Sequence, residues 1–148
     1  MGLIEALGGG PVGLDTALFI YYIEESPRYL ALLEELFGAI DRGQIQAVTS
    51  GITLLEVLVV PFRRGDEDLA ERYQALLTRS QGLTLRDLDR PLLRTAAGLR
   101  ATFGMKTPDA LQMAAALSTR CSAFLTNDRR LPSVSGMKTL QLEDFLPA

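Results

Sequence analysis

The chain of 148 residues contains no histidine and a single cysteine, Cys121. The missing histidine removes the Ser-His-Asp triad, the histidine-paired cysteine nucleophile, histidine-based zinc sites and imidazole base catalysis together. One cysteine excludes an intrachain disulfide and any multi-cysteine metal site. No apolar run is long enough to span a bilayer. The opening residues carry no basic segment and too short an apolar stretch for a secretory signal, so a reducing cytoplasm is the expected setting. Nor is there an excess of positive charge: 15 basic residues stand against 18 acidic ones, a formal net charge of −3. A nucleic-acid partner would therefore have to be drawn by a local basic patch or by metal ions. The glycines Gly8-Gly-Gly10 precede the first strand and are not followed by a lysine, which excludes a phosphate loop. Enzyme chemistry, if present, must rest on carboxylates, hydroxyls, amines, backbone groups or a bound ion.

What is present has an ordinary globular balance, 47% hydrophobic and 22% charged, and the length suits one domain. Residues 1–10 are expected to form a flexible N-terminal lead, and residues 11–148 a single domain. Short strand candidates at Pro11–Leu14, Ile45–Thr49, Leu83–Leu85, Ala123–Thr126 and Met137–Leu142 alternate with helical stretches. Without hairpin signals this pattern predicts an α/β domain with a mainly parallel sheet. Cap-plus-proline starts are expected at Ser26-Pro27 and Thr107-Pro108, with Pro61 ending or kinking its helix.

The stretch Lys106 to Leu117 organises the rest. Asp109 falls in the first turn of a helix that is almost wholly small or apolar. A short connector leads to the buried strand Ala123–Thr126, which ends at Asn127-Asp128. Helix and strand must run antiparallel, so Asp109 and Asp128 approach each other at one edge. In an open α/β sheet, ligands collect beyond the carboxyl ends of the strands. Asp15 ends the first strand there, and Glu56 lies in the helix after the second. Each of the four acids is flanked by apolar residues, where mutual repulsion is least screened. Hard divalent cations answer that conflict, because Mg²⁺ and Mn²⁺ prefer oxygen ligands.

Four segments in order now resemble the PIN domain family, and within it the VapC-type toxin ribonucleases: Leu14-Asp15-Thr16, Thr49-Ser50-x-x-Thr53-x-x-Glu56, Thr107-Pro-Asp109-Ala110, and Thr126-Asn-Asp128. The resemblance runs from about Val12 onward. It implies a three-layer α/β/α domain with a five-stranded sheet ordered 3-2-1-4-5. It implies Asp15, Glu56, Asp109 and Asp128 as catalytic residues holding one or two Mg²⁺ or Mn²⁺ ions for hydrolysis of an RNA phosphodiester. Thr16, Ser50, Thr53, Thr126 and Asn127 become supporting or substrate-orienting groups. Independently of the resemblance, Lys106, Arg129 and Arg130 flank two of the acids and suit phosphate contacts. A homodimer and a cognate antitoxin are the implied partners. One departure stands out: many relatives carry a further acid where this chain has Arg130.

Each residue also has a plainer use. Asp15 fits a helix N-cap, Thr53 to Glu56 a capping box, Asp109 a dipole partner and Asp128 a turn. The three cations fit solvated loop charges, and Leu55, Leu58, Val59 and Phe62 fit either a subunit contact or the core. A catalytically inactive PIN-like module that binds RNA or protein is the alternative to the nuclease. Haloacid dehalogenase chemistry is set aside, since Ala17 stands where a second aspartate is required.

Overall fold

A computed structural model describes residues 1–134 and 136–147. In chain order the elements are α1 (Leu3–Leu7), β1 (Val12–Leu14), α2 (Thr16–Ile23), α3 (Leu30–Asp41), β2 (Ala47–Ser50), α4 (Gly51–Arg64), α5 (Glu67–Arg79), β3 (Leu83–Arg86), α6 (Arg90–Phe103), α7 (Thr107–Ser118), β4 (Ala123–Thr126) and β5 (Lys138–Gln141). A 3-10 turn over Leu142–Phe145 follows. The five strands form one sheet in the order β3-β2-β1-β4-β5, and every pair is parallel. This is the architecture the resemblance implies.

The three inner strands are buried throughout, which explains why they read as short continuous runs instead of alternating ones. On one face, Val12, Leu14, Ala47, Ala123 and Leu125 pack with residues of α1, α2, α3 and α5. On the other, Val48 and Phe124 pack with α6 and α7. Helix α7 lies against the sheet and α6 covers it, so it is apolar on nearly all sides. Gly13 makes the close seat of α7 sterically feasible. A Cβ there would stand 2.6 Å from the Phe124 ring and 2.8 Å from Ala116 Cβ. Among the described residues no helix is long and apolar enough to cross a membrane.

Several local expectations change. The glycine-rich lead holds a helix, α1, whose Leu3 (1% exposed) and Leu7 (0%) join the core beside α3. Two leucines four residues apart supply an apolar face that outweighs the neighbouring glycines. Helix α3 starts at Leu30, later than Ser26-Pro27 suggests, because Ser26 O accepts the N–H groups of Tyr29 and Leu30 in a preceding turn. Thr107 is already helical. Lys106 precedes the helix in extended conformation and its carbonyl accepts the Ala110 N–H, so the Thr107 hydroxyl makes no cap. Pro61 does not end α4; its ring is buried, and the helix continues to Arg64 before Gly65 turns left-handed at φ 66°. The Thr53 capping box also fails. Ser50 caps α4, accepting the Ile52 N–H at 3.3 Å, and Thr53 is buried a turn inside.

Leu7→Ala should lower the free energy of unfolding by about 2–5 kcal/mol, as for other fully buried leucines. Urea denaturation followed by circular dichroism measures it; an unchanged midpoint would mean that α1 is not docked.

Candidate active site

The carboxyl ends of β1 and β4 lie side by side, so the residues that follow them share one edge. The Asp15 N–H donates to Leu125 O of β4 at 3.0 Å. Its carboxylate is fixed at both oxygens. Oδ1 accepts the Thr16 N–H at 2.9 Å, and Oδ2 accepts the Thr126 hydroxyl at 2.6 Å. The same Thr126 oxygen accepts the Asp128 N–H at 3.0 Å. One hydroxyl at the end of β4 therefore positions both acids.

Asp109 enters from the first turn of α7. Burial is the main cause holding its carboxyl above the ordinary range, and the charges of Asp15 and Asp128 push it further; Arg130 acts against them. Asp15 is raised as well, chiefly by burial, with the Thr126 and Thr16 hydrogen bonds opposing and Asp128 adding repulsion. Asp128 is lowered instead, because Arg130 grips it. The Arg130 backbone N–H and Nε reach Asp128 Oδ1 at 2.9 and 3.0 Å, and Nη2 reaches Oδ2 at 3.1 Å.

Beneath the acids lies a buried hydroxyl and amide network centred on Gln112. Its Oε1 accepts the Ser50 hydroxyl at 2.8 Å and the Ser50 N–H at 3.2 Å. Its Nε2 donates to Thr53 Oγ1 at 2.7 Å and to Thr16 Oγ1 at 3.0 Å. Thr49 donates to Leu14 O at 2.9 Å and lies 2.7 Å from Thr53. With Gln112 donating to both threonines, Thr53 is left to donate to Thr49, and Thr16 to Glu56 Oε1 at 2.7 Å. The Thr16 branch then ends on the Glu56 carboxylate, and the Thr53–Thr49 branch on the Leu14 carbonyl.

Residues 12–137 match the PIN domain family. The chain belongs to that family. Three solved structures share its fold. VapBC2 of Rickettsia felis bound to a promoter DNA fragment aligns at TM-score 0.67 with 17% identity, covering 88% of this chain and 98% of that one. A toxin–antitoxin complex of Klebsiella pneumoniae aligns at 0.65 with 19% identity, covering 86% and 94%. DNA-bound VapBC of Salmonella typhimurium aligns at 0.62 with 20% identity, covering 90% and 98%. No curated protein sequence matches the chain.

Within this PIN domain, Asp15, Asp109 and Asp128 share the edge anticipated from the sequence. Glu56 is half-buried behind them, against Thr16 and close enough to Asp109 to add to its repulsion. Among the described residues no three carboxylates are gathered closely enough, as the side chains stand, to hold an ion between them. The donor set nevertheless suits a hard divalent cation, being all oxygen and including two carboxylates raised by burial and like charge. Thr16, Ser50 and Thr53 take part in the buried network, and Thr126 bonds Asp15.

Asn127 faces elsewhere: its Oδ1 accepts the Glu143 N–H at 2.9 Å and ties down the C-terminal turn. Arg129 also turns away, onto Asp144 at 2.6 Å and Glu143 at 3.5 Å. Lys106 is exposed and makes no ion pair with a described residue. Gln112 and Thr49 are absent from the candidates read from sequence. The available signal for Gln112 was a lone amide in an apolar helix, three residues after Asp109 and so on the same face.

Asp109→Asn removes one repelling charge, so in EDTA at pH 7 the variant should resist urea better than the parent. The raised Asp109 contributes stability that is full below the reference value of 3.8 and is lost as pH rises through its folded-state value. The variant's advantage should therefore shrink as pH falls through the carboxylate range. A variant less stable than the parent at pH 7 would contradict the repulsion.

Proposed function

We propose that this PIN domain is a Mg²⁺- or Mn²⁺-dependent endoribonuclease and acts as the toxin of a toxin–antitoxin pair. The observation that carries the reading is the convergence of Asp15, Asp109 and Asp128 at one sheet edge, two of them raised by burial and by one another. Asp15, Asp109, Asp128 and Glu56 would hold the ion. Bound there, the ion supplies Lewis-acid activation of a water and charge neutralisation at the phosphoryl group.

The chain's own residues do the positioning. Thr126 and the Thr16 N–H orient Asp15. Thr16, held by Gln112, presents a donor to Glu56. Arg130 can exchange Asp128 for a phosphate oxygen, and Lys106 stands free to do the same. With no histidine in the chain, the leaving oxygen would be stabilised by the ion or protonated by water.

The fold neighbours that are toxin–antitoxin complexes support an antitoxin partner here. A cytoplasmic setting accords with this reading. A homodimer is supported by a stripe on α4: Leu55 (59% exposed), Val59 (42%) and Phe62 (63%) recur at helical spacing on one face.

A second reading, a PIN-like module that binds RNA or protein without cleaving, draws on one observation. Both oxygens of Asp128 are engaged by Arg130. Incubation of a mixed RNA ladder with Mn²⁺ or with EDTA separates the two. The nuclease reading expects fragments with Mn²⁺ only, and no cleavage above background from Asp15→Asn or Asp109→Asn, both with the parent's circular dichroism. Undiminished Mn²⁺-dependent cleavage by both variants would overturn it.

Phe62→Glu places a charge in the α4 stripe and should convert a dimer to a monomer of 16.2 kDa. Light scattering after gel filtration reads the mass; a dimer that persists in Phe62→Glu and in Leu55→Glu would remove this stripe as the interface.

A further inference from the structure

The acid edge has a second feature beside it. A recess of about 170 Å³ opens between the end of α6, the start of α7 and the loop after β4. Asp109, Asp128 and Arg130 form the wall it shares with the acid cleft, and its remaining lining is mainly apolar: Phe103, Met105, Leu131 and Pro132. A separate recess on the other side is lined by Asp15 and Tyr21 together with Asp128 and Arg130. The Asp128–Arg130 pair thus divides a charged hollow from an apolar one.

Three properties of the apolar hollow bear on its occupant. Phe103 ends α6 and is 42% exposed, leaving an aromatic surface in solvent beside the acids. The turn that follows lines the hollow as well. Gly104 sits at φ 67°, with nothing near the position of an added Cβ, and Met105 O is fixed by Arg100 Nε at 3.1 Å. Lys106 and Arg130 also line the hollow, so positive charge borders it next to the carboxylates. An apolar hollow with an aromatic wall, cations at its border and acids at its shared side matches the alternating chemistry of a nucleic-acid strand, base beside phosphate.

We infer that this hollow is a nucleobase subsite, in which one base of a single-stranded RNA stacks on Phe103 while its phosphate lies toward Lys106 and Arg130. The inference rests on the nuclease reading for the direction of the strand, since the neighbouring phosphate is then the one presented to the acids. Leu131 and Pro132 add apolar surface to the same hollow, and Phe103 becomes a determinant of binding strength, not a catalytic residue. The hollow, at about 170 Å³, is of a size to take one base.

The test separates binding from cleavage. Fluorescence anisotropy of a labelled mixed-sequence single-stranded RNA, in EDTA, gives Kd without turnover. Phe103→Ala should raise Kd about tenfold, within the range found for loss of one stacked base. Phe103→Trp should restore binding, and Leu93→Ala, an exposed position on the same helix, should leave it unchanged. Circular dichroism checks that the variants are folded. In Mn²⁺ the cleavage loss of Phe103→Ala should appear in KM and not in kcat.

An unchanged Kd for Phe103→Ala would overturn the subsite, and with Mn²⁺-dependent cleavage retained by the parent it would leave the nuclease reading standing. Phe103-dependent RNA binding without any Mn²⁺-dependent cleavage would keep the subsite and remove the nuclease. A parent chain that binds no RNA in EDTA would overturn the subsite directly.

Discussion

Like-charge repulsion between carboxylates in a partly dry cleft is the constraint around which this molecule is built. Asp15 and Asp109 are both pushed up by desolvation before any neighbour is considered, and each is then worsened by another acid. Coulombic energies scale inversely with the local dielectric, so a charge arrangement tolerable in water becomes strained at such a site. The backbone enforces the arrangement. Parallel pairing of β1 with β4 puts Asp15 and Asp128 at adjacent strand ends, and α7 runs back against the sheet to deliver Asp109. A larger residue at position 13 would meet Ala116 and Phe124, so the seat of α7 depends on the absence of one side chain in β1.

The network below the acids keeps that geometry from relaxing. Thr49, Ser50, Thr53 and Gln112 are buried, and a buried polar group without a partner costs roughly 1–3 kcal/mol. Gln112 satisfies its amide nitrogen and oxygen on groups from α2, α4 and β2, which links three elements to α7. Rotating any one of them would leave several groups unpaired together. The network therefore acts as a rigid floor, and its outermost hydroxyl, that of Thr16, meets Glu56. Glu56 is thereby held in place by the floor instead of by the cleft, which explains why it lies behind the other acids.

Much of this was legible in the sequence, for physical reasons. Buried parallel strands must be continuous apolar runs, and β1, β2 and β4 are. Acids at strand ends and in the first turn of α7 follow from element order alone. The directions of long side chains do not. Arg129 and Arg130 are adjacent in sequence, yet one reaches the C-terminal turn and the other Asp128, a choice set by where Asp144 lies in space. The resemblance implies a substrate-orienting role for Asn127, whereas its amide oxygen meets a backbone donor sixteen residues away. Gln112 escaped notice because a single polar residue in an apolar helix does not announce its partners. The α1 helix was obscured by its glycine neighbours, although Leu3 and Leu7 had the spacing to dock.

Arg130 bears on both functional readings, and magnitudes decide between its two roles. Its guanidinium is 79% exposed while the Asp128 side chain is 25% exposed, so the pair lies at the surface. Ion pairs of this kind contribute little net stability, because water already stabilises both partners. A pair this exposed is readily exchanged, so the Arg130 bond to Asp128 does not by itself exclude a cation at the acid edge. The pairing therefore describes how the edge balances its charge with the resources of the chain alone. Arg130 borders both hollows, where under the nuclease reading a substrate phosphate would be its alternative partner. An arginine beside Asp128 is thus compatible with the proposed hydrolysis, as a counter-charge for either the carboxylate or a phosphate.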